Sequence, residues 1–155
     1  MYARRFRRDG VAAVELAVCL PLLLILVFGI WEVGRMVQAH QLLLQGAREG
    51  GRQAAAGRMD ATAVRQFVVD YLNTNGLTGV TLSDVTLTNV TDANRSNPAT
   101  ANQLDQFRVT VTVPYASIRW SNVAQITPTT QLGASVDWYS MRDLPIEVTM
   151  TIPVN

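Results

Sequence analysis

Between Val11 and Trp31 the chain is apolar at almost every position, and only Glu15 carries a charge. No polar stripe recurs at helical spacing, so the pattern predicts a membrane-spanning helix rather than the amphipathic helix of a soluble core. Residues 11–31 make about 32 Å of helix at 1.5 Å per residue, close to a hydrocarbon layer of roughly 30 Å. Trp31 closes the run where interfacial aromatics gather. Pro21 removes one helical hydrogen bond and predicts a bend, with Gly29 and Gly34 loosening the helix further.

Beyond Trp31 the period stays helical but its polarity changes. Val33, Met36, Val37, Leu43 and Leu44 recur at helical spacing through residues 32–53. Gly46, Gly50 and Ala54 fall four apart, as do Ala47, Gly51 and Ala55. Such stripes let a second backbone approach closely. Two partners fit: the protein's own β-sheet, or a helix of another subunit. Glycines cost around 1 kcal/mol each against alanine in a helix, so packing must stabilise this segment. Residues 57–60 interrupt it, and Asp60 is placed to cap a second helix. Val64, Phe67, Val68, Tyr71 and Leu72 then form a core-facing stripe, which Gly76 ends as a candidate C-terminal cap.

From Gly79 onward the period becomes two. Val80 and Leu82 alternate, then Val85 and Leu87 alternate in the opposite phase, which predicts a bulge or break near Ser83-Asp84. Residues 91–103 read as a loop. Phe107–Val113 is a strand with one buried face, closed by Pro114. Residues 117–130 are ambiguous. Residues 131–139 read as a strand with Ala134, Val136 and Trp138 on one face, and Ile146, Val148, Met150 and Ile152 alternate after a turn at Asp143–Pro145. The expectation is an α+β fold: a long N-terminal transmembrane helix extending beyond the membrane, a second helix, and about four mainly antiparallel strands. Three regions follow: residues 1–10 as a basic leader, 11–57 as the long helix, and 58–155 as an extracytoplasmic α+β domain.

Charge fixes the expected orientation. Net charge is only +1, but Arg4, Arg5, Arg7 and Arg8 crowd the start. The positive-inside rule places them in the cytoplasm and the C-terminal domain outside, in a single-pass arrangement. With so little net charge, nucleic-acid binding is not expected. Cys19 is the sole cysteine and lies in the apolar run, so no intrachain disulfide can form. His40 is the sole histidine. Acids are scattered, and neither a nucleophile motif nor a glycine-rich phosphate loop before a helix is present. No enzymatic activity, cofactor or metal site is expected.

The remaining anomaly is Glu15. An acid at the membrane centre costs about 2.5–3.5 kcal/mol, less near the interface. A carboxylate four residues into the span, preceded by a glycine and an arginine cluster, asks for a function. Gly10-Val11-Ala12-Ala13-Val14-Glu15 resembles the class III signal of type IV pilin-like proteins. The longer string resembles TadE-like pseudopilins, or minor pilins, of the tight-adherence (Tad) pilus machinery. It includes Leu20-Pro21-Leu22-Leu23, Gly29-Ile30, Glu32, Gly34-Arg35 and Ala47-Arg48-Glu49-Gly50-Gly51-Arg52. Leu16 stands where that family usually carries an aromatic.

The resemblance implies that a prepilin peptidase cuts between Gly10 and Val11. The new α-amino group of Val11 would then pair with Glu15 of a neighbouring subunit during assembly or capping of a Tad-type pilus. It implies as partners the peptidase, other pilins and pseudopilins of the system, an inner-membrane assembly platform and the lipid bilayer. The location implied is the inner membrane, or the cell-surface pilus after assembly. The alternative is a single-pass membrane-anchored adhesin or binding module that never enters a filament.

Overall fold

The computed structural model describes residues 9–117 and 131–142. The chain divides into two compact units, Met1–Gln38 and Ala39–Asn155. One helix, α1, runs through both, from Asp9 to Ala56. It continues unbroken past Pro21. In the first unit its apolar side chains are exposed from Val11 to Trp31. This helix is long and apolar enough to cross a membrane, and none of its most apolar stretch is buried by the protein itself.

In the second unit, α1 ends at Ala56, and Gly57 takes a left-handed φ of 63° as its N–H bonds Ala54 O at 3.0 Å. Helix α2 spans Ala61–Thr74. Its start follows the expected chemistry: the Asp60 carboxylate accepts from the Ala63 N–H at 2.7 Å. Its end is a Schellman turn. Gly76 N–H bonds Asn73 O, Leu77 N–H bonds Leu72 O, and Gly76 has φ of 94°. Leu77 is buried as the hydrophobic partner that this motif usually carries. Val64, Val68 and Leu72 are buried as the periodicity requires. Val69 joins them, whereas Phe67 and Tyr71 are half-buried.

Three antiparallel strands follow in the order β1–β2–β3: β1 Val85–Asn89, β2 Gln106–Pro114 and β3 Gln131–Tyr139. The register aligns Leu87, Val109 and Val136 in one row, and Val85, Val111 and Ala134 in the next. Both rows lie on the face that packs into the core with the helices. The opposite face carries Thr86, Thr88, Arg108, Thr110, Ser135 and Asp137. Arg108 spans the strands to Asp137 at 2.7 Å. Hydrogen bonding to that guanidinium holds the Asp137 carboxyl below its usual range.

Of the bulge or break expected before β1, the structure shows a break: a 3-10 turn, Leu82–Asp84. Thr81 N–H donates to Asp84 Oδ2 at 2.8 Å, so the acid ends the extended run by capturing the backbone. The sheet has three strands among the described residues rather than about four. The alternating segment at residues 146–152, the turn at 143–145 and the ambiguous stretch at 118–130 lie outside the described residues.

Candidate assembly site on the N-terminal helix

Gly10, Val11 and Glu15 all lie in the first turns of α1, and all are exposed. A Cβ at Gly10 would meet nothing within 4 Å, so the protein itself leaves that backbone open to approach. Val11 and Glu15 stand one helical turn apart on one face, by their i, i+4 spacing. Among the described residues no cation forms an ion pair with Glu15. The site is thus a carboxylate on α1 flanked by Val14, Leu16 and Val18, each at least 60% exposed. Arg4, Arg5, Arg7 and Arg8 lie outside the described residues.

A carboxylate here is disfavoured by hydrocarbon. A cation at 4 Å is worth about 1 kcal/mol in water but about 4 kcal/mol at an effective dielectric constant of 20. The surroundings therefore convert a weak attraction into a selective one.

The small-residue stripe is filled by the chain itself. A Cβ on Gly46 would lie 2.8 Å from Leu72 Cδ2 of α2. One on Gly50 would overlap Val68 Cγ2 and lie 3.6 Å from Val109 Cγ1. Ala54 is fully buried in the same core. One turn round, a Cβ on Gly51 would collide with the indole edge of Trp138. These positions let α1 sit against α2 and the sheet at backbone distance.

Other candidate chemistry stays dispersed. His40 and Cys19 are exposed. Among the described residues no group of three His, Cys, Asp or Glu is arranged to hold a metal ion. The buried polar groups form a structural cluster: Asp105 Oδ2 accepts from Asn89 Nδ2 at 3.2 Å and from Asn102 N–H at 3.0 Å. Ser140 N–H donates to Asp105 O at 2.8 Å, tying the loop after β1 to the end of β3.

One feature escaped the sequence reading. At the C-terminal end of α1, Arg52, Arg58 and Arg142 line a cavity of about 500 Å³ floored by Ala55, Ala56, Trp138 and Met141. The Met141 N–H bonds Ala55 O at 2.9 Å, which fixes the end of β3 against the helix terminus. Only the wide spacing of these residues in sequence hid the cluster; Gly51, which admits the indole, was its one local signal.

Compared with known protein families, residues 10–52 match the family model described as TadE-like protein. The match starts at the glycine, includes Glu15, and ends in the glycine-rich part of α1. No curated protein and no solved structure gives a significant match to the chain.

Proposed function

We propose that this chain is a minor pilin or pseudopilin of a Tad-type pilus, anchored in the inner membrane by α1 with its arginine-rich end in the cytoplasm. A prepilin peptidase removes residues 1–10 by cutting after Gly10. The exposed Val11 amine of one subunit then pairs with Glu15 of another as the helices come together in assembly or capping. Other Tad pilins and an inner-membrane platform are the partners in this reading. The outer α+β unit carries no catalytic role in it.

The observation that carries the reading is the TadE-like match at residues 10–52, which starts at the proposed cleavage glycine and spans the lone acid of the apolar stretch. The exposure of both Gly10 and Glu15 supports it, because a peptidase and a neighbouring subunit both need access. Glu15→Ala tests the pairing step. Membrane insertion and cleavage should survive in this variant, while incorporation into pili, read by immunoblotting of sheared filaments, should fail. Normal incorporation would return the helix to the status of a plain anchor.

A further inference from the structure

The three arginines at the end of α1 are more positive charge than that helix terminus calls for. A helix C-terminus carries about half a negative charge. Glu49 pairs with Arg52, and hydrogen bonding to that guanidinium holds the Glu49 carboxyl below its usual range. Among the described residues the Arg142 guanidinium makes one hydrogen bond, 3.4 Å from Nη1 to Ala101 O. Among the described residues Arg58 has no ion-pair partner. Cationic capacity is left over on one wall of a concave site. Its size, about 500 Å³, accepts a few side chains.

The rim adds a second observation of a different kind. Met141 and Leu104 are each 70% exposed. Leu104 N–H bonds Ser140 O at 3.0 Å, so Leu104 stands beside the end of β3 that leads into Met141. Leu104 is also the sole non-glycine at positive φ among the described residues, at 66°. That conformation costs a bulky residue about 1–2 kcal/mol, and glycine would avoid the cost. The fold thus tolerates strain to keep a leucine in water beside the strand end that leads into Met141, which itself lines the cavity. A simple inorganic anion would use the guanidinium groups and leave both apolar side chains uncovered.

We infer that the Arg52–Arg58–Arg142 cavity, with the Met141–Leu104 rim, docks an acidic peptide segment of another protein chain. Its carboxylates would lie against the guanidinium groups and its apolar side chains on Trp138, Met141 and Leu104. Guanidinium forks donate paired hydrogen bonds to carboxylates, and methionine adapts to varied apolar partners. This surface belongs to the outer unit and does not depend on cleavage after Gly10.

The test uses the full chain in zwitterionic detergent micelles, with Trp31→Phe and Trp120→Phe leaving Trp138 as the fluorophore. The probe is a short blocked peptide alternating glutamate and leucine. Controls are the same peptide with glutamine for glutamate, and sodium phosphate. The expected result is a saturable change in Trp138 emission with the acidic peptide alone, weakened by added salt. Arg58→Gln and Arg142→Gln should each raise its Kd about tenfold, in line with loss of a charge-assisted contact.

Leu104→Gly relieves strain while removing the rim. It should weaken the peptide several-fold without lowering the thermal midpoint, which separates docking from folding. Four results would overturn the proposal: no saturation at millimolar peptide, equal binding of the glutamine peptide, equal binding of phosphate, or unchanged affinity in the arginine variants.

Discussion

Replacing Gly50 by alanine sets two effects of known size against each other. An alanine in a helix interior is favoured over glycine by about 1 kcal/mol. At Gly50 the added methyl would overlap Val68 Cγ2, and Val68 is fully buried. Valine in a helix has one strongly preferred rotamer, and Val109 Cγ1 waits 3.6 Å away on the sheet side, so neither neighbour can yield cheaply. Overpacking of this kind costs typically 1–3 kcal/mol and here the overlap is with a stiff side chain, so the net loss should be about 1–2 kcal/mol.

For a unit of roughly a hundred residues that is a fall in midpoint of roughly 4–16 °C. The same substitution elsewhere on α1 supplies the scale. A Cβ at Gly34 meets nothing within 4 Å, so Gly34→Ala should leave the midpoint unchanged or higher. Gly46→Ala should fall between the two, because its neighbour at 2.8 Å is the flexible end of Leu72. Near-UV circular dichroism of the full chain in detergent, with Trp31→Phe as the common background and followed with temperature, reads chiefly the aromatic side chains of the second unit. A flat series, or a higher midpoint for Gly50→Ala, would refute the packing of this stripe on α2 and the sheet.

Three further outcomes follow from the same contacts. Glu49, Asp92 and Asp137 each have a carboxyl pKa lowered by hydrogen bonding to a neighbouring arginine, so their contribution is present above the ordinary carboxylate range. It should be lost as pH falls from about 5 through the lowered folded values, and the combined Glu49→Gln, Asp92→Asn, Asp137→Asn variant should show a shallower dependence of midpoint on pH. The change should be small, because these pairs face solvent. Asp105→Ala should cost about 1–3 kcal/mol in thermal unfolding, since it removes the buried acceptor of Asn89 Nδ2 and the partner of the Asn102 N–H. Asp60→Ala should cost about 1 kcal/mol by removing the α2 cap, with Asp60→Ser restoring most of it.

What could be read from the sequence was what repeats locally. The span from Val11 to Trp31 shows as an apolar run carrying one charge, and β2 and β3 show as alternation of inward and solvent-facing positions. The caps of α2 were legible because Asp60 and Gly76 act on backbone groups within five residues of themselves. Contacts set by the fold over long sequence separations were not. Nothing near Gly51 announces that Trp138 will lie on it, and nothing near Leu104 announces a left-handed backbone. Asp105 reads as one more loop acid until Asn89 and Ser140 are brought to it. The break before β1 was visible as a change of phase, but its form depended on whether Asp84 bonds the Thr81 backbone. At the assembly site, Gly10, Val11 and Glu15 were legible because they stand within six residues of one another, and all three lie in α1.

The proposed role turns on whether Gly10 is a processing point. The intact mass and N-terminal sequence of the protein, isolated after co-expression with its cognate prepilin peptidase, decide this. A chain beginning at Val11, with loss of Arg4, Arg5, Arg7 and Arg8, agrees with a subunit released for assembly. A chain that keeps those arginines while the peptidase processes its other substrates contradicts it.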